Sequence, residues 1–265
     1  RAMNASNNMS DRKEMLQEAL MAQRQMLVDA IGKRAEDIPQ AFTPYKEVLD
    51  VYDQGLELPD DVTIIWPDDN YGYMKRLSSP KEQKRSGRSG VYYHSSYLGK
   101  PHDHLWMNTT SPTLMYEELR KAYDLTADRI WLLNAGDIKS CEFAVDYFLT
   151  MAFDIDSFNF ERAANYRTEW LCGMLGNDYR NEYQDVINSF YKLAFARKPE
   201  FMGWGYQWAT DKHGRERNTD TDFSLANYRE VDTRLAEYRR IGNVAERILK
   251  ALPEDKKACY YQSLY

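Results

Sequence analysis

The sequence predicts a parallel α/β fold followed by an all-α region, and three observations carry that prediction. Up to about residue 135, short β-branched apolar runs alternate with stretches whose apolar residues recur at helical spacing. Beyond Ser140 such runs give way to helical spacing alone. Polar residues of a few types also gather directly after the strand-like runs, where functional groups collect in parallel α/β folds.

The first helix is expected from Ser10 to Ile31, on the spacing of Met15, Leu16, Ala19, Met26, Leu27 and Ala30, with Gly32 as its stop. A short strand near 39–43 follows, then a helical pattern of Val48, Leu49 and Tyr52 that ends at Gly55. Val62-Thr63-Ile64-Ile65-Trp66 is apolar on both alternating sets, the pattern of a strand buried on both faces. A third strand is expected near 91–95. Ser111-Pro112 supplies a cap and first-turn pair for a helix through Tyr123, carrying Leu114, Met115, Leu119 and Ala122. Ile130-Trp131-Leu132-Leu133 completes the strands, near 129–133.

Past Ser140, Phe143, Ala144, Tyr147, Phe148 and Met151 make one helical stripe, and Tyr166, Trp170 and Leu171 begin another that stops near Gly176. A third helix is expected from about Asp178 to Arg197, and a long one from Ser224 to Pro253. Phe201 to Asp222 reads as a polar loop. The domain boundary falls near Ser140, giving 1–139 and 140–265. Four strands do not close a (β/α)8 barrel. An open four-stranded sheet satisfies the count. The start at Arg1-Ala2-Met3-Asn4, with neither an initiator Met nor a signal-type apolar run, favours half of a (β/α)8 TIM-like barrel followed by a helical bundle domain.

Composition excludes several partners. The net charge is 35 − 41 = −6 and no basic face is evident, which argues against nucleic acid. No apolar run approaches the ~18 residues of a membrane span. Cys141, Cys172 and Cys259 are too scattered for a disulfide framework or a thiolate zinc site. Tyr 20, Phe 10 and Trp 6 suit walls that contact sugars, although a Tyr-rich helical core accounts for them more simply.

The strand-end residues carry the chemistry: Tyr45, Lys46 and Glu47 after the first strand, Asp68, Asp69 and Asn70 after the second, His94 and Tyr97 after the third, Asn134 and Asp137 after the fourth. Carboxylates with Asn, Tyr and His donors around a shared cleft suit glycoside hydrolysis, which needs one protonated carboxyl and one carboxylate base or nucleophile. Each Asp or Asn taken alone is equally well explained as a helix cap or turn residue. His102-Asp103-His104 lacks a third ligand and reads as a solvated loop, and Glu117-Glu118 as a solvated helix face. No phosphate-binding glycine loop or serine elbow is present, so no cofactor and no metal are expected.

Seven motifs then occur in order: Tyr45-Lys46-Glu47-Val48, Pro59-Asp60-Asp61-Val62-Thr63, Trp66-Pro67-Asp68-Asp69-Asn70-Tyr71-Gly72, Lys84-Arg85-Ser86-Gly87, Gly90-Val91-Tyr92-Tyr93-His94, Ser96-Tyr97-Leu98-Gly99 and Asn134-Ala135-Gly136-Asp137-Ile138-Lys139. Together they resemble glycoside hydrolase family 115, the xylan α-1,2-glucuronidases, over most of residues 44–150. The resemblance implies a large inverting enzyme that removes glucuronic acid, or its 4-O-methyl form, from xylan. It implies a (β/α)8 catalytic barrel followed by a helical domain, with this chain holding the second half of the barrel and the helical domain. It also implies glucuronoxylan or aldouronic oligosaccharide as ligand, a homodimer of the full-length protein, and a secreted or periplasmic setting.

Residue by residue, the resemblance makes Glu47 the general acid. It makes Tyr45, Lys46, Asp68, Asn70, His94, Tyr97 and Asn134 the lining of the uronic-acid pocket, with Lys46 or Arg1 meeting the uronate carboxylate. Such an acid needs a raised pKa, from burial or from a neighbouring carboxylate, and Asp68 is nearest by strand order. The family's Arg-x-x-His-Asp motif is matched here only at Arg1, since Asn4 and Ala5 stand where it has His and Asp. The catalytic base is therefore either lost or supplied from further upstream. The alternative to an active glucuronidase is a non-catalytic carbohydrate-binding or interaction remnant.

Overall fold

The computed structural model describes residues 8–97, 108–136, 138–210, 212–213 and 216–264. Helix α1 (Met9–Ile31) opens on Asn8, whose side chain accepts the Ser10 N–H, and closes on Gly32 at φ 71°. Strand β1 (Ala41–Phe42) leads to α2 (Glu47–Asp53), then β2 (Thr63–Pro67) and β3 (Ser89–His94). Helix α3 (Pro112–Asp124) is capped by the Ser111 hydroxyl, which accepts the Leu114 N–H at 3.2 Å, and β4 (Trp131–Asn134) follows.

The strands form one sheet in the order β1-β2-β3-β4. Pairing is parallel: Phe42 lies opposite Ile64, and Trp66 opposite Val91. Along β3 and β4 the bonded positions rise together, from Arg129 N–H on the Ser89 carbonyl to Ser95 N–H on the Asn134 carbonyl, as parallel strands require. Each expected strand is present, although β1 is shorter than 39–43. Gly90 makes the β3–β4 approach feasible, because a Cβ there would overlap the Ile130 carbonyl.

The chain divides into two compact units, the first comprising Arg1–Asp69, Tyr73–Tyr93 and Leu119–Leu132. One of its clusters buries Phe42, Leu56 and Val62 against Leu16, Leu20, Val48, Tyr52 and Leu58. In β2 the fully buried Trp66 donates its indole N–H to Ser78, whose hydroxyl donates on to Ser89.

The second unit comprises Asn70–Gly72, His94–Glu118 and Leu133–Tyr265. Its helices include α4 (Glu142–Phe153), α5 (Phe160–Leu175), α6 (Arg180–Ala196), α7 (Glu230–Ala251) and α8 (Glu254–Ser263). The stripe foreseen in α4 is buried throughout. Leu171, Leu175, Tyr183, Ile187, Tyr191, Ile248, Leu252 and Tyr260 form a common core of α5, α6, α7 and α8.

Four expectations are corrected. The region past 140 is not helical alone, because β5 (Trp204–Thr210) and β6 (Glu216–Asp220) pair antiparallel within the segment read as a polar loop. The long last helix begins at Glu230 instead of Ser224: Tyr228 and Arg229 have φ of 59° and 49°, which a right-handed helix does not admit. That start leaves Leu225 and Tyr228 exposed. A further helix, α8, follows Pro253, where the fixed φ of proline suits a helix entry. Glu118 is buried, so only Glu117 of that pair is on a solvated face.

Candidate active site

In the first unit, Tyr45, Lys46 and Glu47 lie between β1 and the first turn of α2. The Tyr45 and Lys46 carbonyls accept the N–H groups of Val48 and Leu49, which starts the helix. Lys46 is held at φ 53°, a conformation that costs a non-glycine residue about 1 kcal/mol or more. The Tyr45 ring meets Tyr92 of β3 edge-on at 6.0 Å, and the Lys46 ammonium lies 5.2 Å from the Tyr45 ring centroid. Tyr45 is half-buried, while Lys46 and Glu47 are exposed. The burial expected of Glu47 is therefore not found within this chain.

Asp68 is 5% exposed at the end of β2, and its N–H donates to the Tyr92 carbonyl at 3.1 Å, which extends the β2–β3 ladder by one residue. The next residue closes a tight loop. The Asp69 N–H donates to the Tyr73 carbonyl at 2.9 Å, and the Asp69 carboxylate accepts the Tyr73 N–H at 3.1 Å.

In the second unit, Asn70 is buried at φ 73°, a region that Asn tolerates better than most residues. His94, at the end of β3, is 1% exposed, and Tyr97 is 6% exposed; their rings meet edge-on at 5.6 Å. Asn134, at the end of β4, is half-buried, and its carbonyl accepts the Ser95 and Ser96 N–H groups at 2.9 and 3.2 Å. Gly136, at φ 61°, turns the chain so close to Ser96 that a Cβ would come within 2.7 Å of its hydroxyl.

Two local groups thus assemble: Tyr45, with Lys46 over its ring, and the Asp68 backbone both meet Tyr92, and His94 with Tyr97 lies beside the loop held by Asn134. Tyr92 and Ser96 were not among the predicted site residues. The signal for Tyr92 was its alternation in β3, where Val91 and Tyr93 are fully buried and Tyr92 is not. Arg1, Asn4, Ala5, His102, Asp103, His104 and Asp137 lie outside the described residues.

Comparison with known proteins agrees with this arrangement of strands and helices. The family described as Glycosyl hydrolase family 115 matches residues 2–201. A solved structure described as a novel family 115 4-O-methyl-α-glucuronidase with specificity for decorated arabinogalactans is 36% identical in sequence and superposes with a TM-score of 0.88. The match covers 98% of this chain and 34% of that one, so this chain spans about a third of the other's length. No curated protein matches it. On the family match and the structural likeness, the chain belongs to glycoside hydrolase family 115.

Proposed function

We propose that this chain is part of an inverting α-glucuronidase that removes glucuronic acid, or its 4-O-methyl form, from xylan. One observation carries the reading. Each matched polar residue ends or follows a strand of the parallel sheet: Tyr45 to Glu47 after β1, Asp68 and Asn70 after β2, His94 at the end of β3 with Tyr97 after it, and Asn134 at the end of β4. That is the end of a parallel sheet where barrel enzymes carry their chemistry. In this reading residues 1–139 are the second half of a (β/α)8 barrel and 140–265 a helical domain, and the full-length protein dimerises.

Water attacks the anomeric carbon and gives its proton to a carboxylate base supplied from further upstream, while the Glu47 carboxyl delivers its proton to the leaving xylose oxygen. Asp68 and Asn70 accept and donate at the sugar hydroxyls. Lys46 or Arg1 pairs with the uronate carboxylate, and Tyr45, His94, Tyr97 and Asn134 complete the wall. The backbone polymer is open to test, because the solved relative acts on decorated arabinogalactans.

In the full-length protein, Glu47→Gln keeps shape and hydrogen bonding but delivers no proton. Turnover of glucuronoxylan is expected to drop by roughly two to four orders of magnitude. A substrate with an activated leaving group loses less, and binding of glucuronic acid persists. Full activity of Glu47→Gln on both glucuronoxylan and glucuronidated arabinogalactan would take the acid role from this residue. A second reading, a binding remnant without turnover, draws on Asn4 and Ala5 standing where the family has His and Asp. Binding of aldouronic oligosaccharide without release of glucuronic acid distinguishes it.

A further inference from the structure

Arg167 of α5 is 7% exposed. Guanidinium does not shed its proton, so burying an arginine without an anion or a full set of acceptors is costly. Among the described residues Arg167 has neither. Of its five N–H donors, one meets the Tyr191 hydroxyl at 2.8 Å and one the Ser263 carbonyl at 3.1 Å, while the buried Nε donates to nothing. The rings of Phe143, Tyr191 and Phe190, at 5.2, 5.5 and 5.9 Å, contribute attraction through their π faces but no charge. Arg240 and Arg197 of the same unit pair with carboxylates, whereas Arg234 is as buried as Arg167 and, among the described residues, donates only to the Leu193 and Arg197 carbonyls, but does not line the cavity beside Arg167.

Beside Arg167 lies a cavity of about 340 Å³. Its wall is mixed: Val186 of α6 and Ile241 and Ala245 of α7 are apolar, whereas Asn108, Gln262 and Ser263 are polar; Gly242 also lines it and is exposed. A cavity of this size, lined by apolar side chains with a few polar groups and one buried cation, has the form of a small-molecule site. None of the strand-end residues of the candidate active site lines it.

We propose that this cavity binds a small organic carboxylate, with the anion on the Arg167 guanidinium and the apolar body against Val186, Ile241 and Ala245. The match is chemical: the carboxylate supplies the charge that the buried cation lacks, and the apolar side chains of the wall cover the body of the ligand.

Benzoate and benzamide test this, because they share shape and differ in charge. Calorimetric titration of the protein should show benzoate binding about tenfold tighter than benzamide, or more. Gly242→Leu is the blocking variant. A Cβ at Gly242 meets nothing within 4 Å, and leucine favours a helix, so the fold and melting temperature should hold. Its longer side chain should weaken benzoate by about tenfold or more. Arg167→Met should abolish the preference for benzoate over benzamide. Because that variant removes a buried group and could fail to fold, the ligand pair and Gly242→Leu decide without it. Equal affinity for the two ligands, no benzoate binding at millimolar concentration, or unchanged benzoate affinity in folded Gly242→Leu overturns the proposal.

Discussion

Glu82 shows how a single residue can make the stability of this protein depend on pH. Its carboxylate accepts from both ends of Arg76, at 2.8 and 3.0 Å, from the Ser79 N–H at 2.6 Å and from the Tyr52 hydroxyl at 2.7 Å. The Arg76 guanidinium in turn stacks 4.5 Å from the Trp66 ring. Burial alone would raise the Glu82 carboxyl, but these donors outweigh it and bring it from 4.5 to about 2. Burial and the adjoining carboxylate both push the Tyr52 phenol upward. Because the folded state holds Glu82 ionised below its ordinary range, its contribution is complete above about pH 4.5 and is lost as pH falls toward about 2. Glu82→Gln is expected to lower stability near neutral pH by about 1–3 kcal/mol and to flatten the acid limb of the stability curve. Urea unfolding near pH 7 and near pH 3 measures both; an unchanged acid slope in the variant would assign that slope to other groups.

Among elements, the parallel sheet depends most on its close backbone approaches. A Cβ on Gly90 would run into the Ile130 carbonyl, and backbone does not yield as a flexible side chain does. Gly90→Ala is expected to cost about 3 kcal/mol. Gly173→Ala in α5 is the control: a Cβ there meets nothing within 4 Å, so the change should be neutral or stabilise by about 0.5–1 kcal/mol. Comparison of the two by chemical denaturation separates strand crowding from the general effect of replacing glycine. The same elements show what was legible beforehand. Ile64, Ile65 and Trp66 are apolar on both alternating sets, so β2 was plain from its residues. The β5–β6 hairpin was not, because Glu216-Arg217-Asn218-Thr219-Asp220 carries no apolar alternation and a strand of that composition is defined only by its partner. The candidate site was legible in chain position but not in burial. Asp68 and His94 follow from where strands end, whereas the exposure of Glu47 and the burial of Glu118 depend on which surfaces other segments cover.

At the scale of the whole molecule, the two units are interleaved along the chain, and this bears on where the protein can be cut. Residues 94–118 precede the proposed boundary at 140, yet they belong to the same unit as the later helices. Several of their contacts there are buried. The Tyr147 hydroxyl, in a fully buried side chain of α4, donates to the Pro112 carbonyl at 2.8 Å, and the Tyr116 hydroxyl donates to the Phe158 carbonyl at 3.2 Å. Tyr116 also meets Phe160 edge-on at 5.1 Å, and the Lys198 ammonium reaches the hydroxyls of Thr109 and Thr110. Excision at 140 strips Tyr147 of its acceptor, and a buried hydroxyl left without one costs about 1–3 kcal/mol. Losing Met115, Tyr116 and the rest of that segment uncovers apolar surface as well. Residues 140–265 produced alone are therefore expected to keep helical far-ultraviolet circular dichroism while losing the near-ultraviolet signal of fixed aromatic packing and a sharp melting transition. Residues 94–265 should recover part of both. A cooperative melt and an intact near-ultraviolet spectrum for 140–265 alone would instead make the boundary at 140 a true domain boundary.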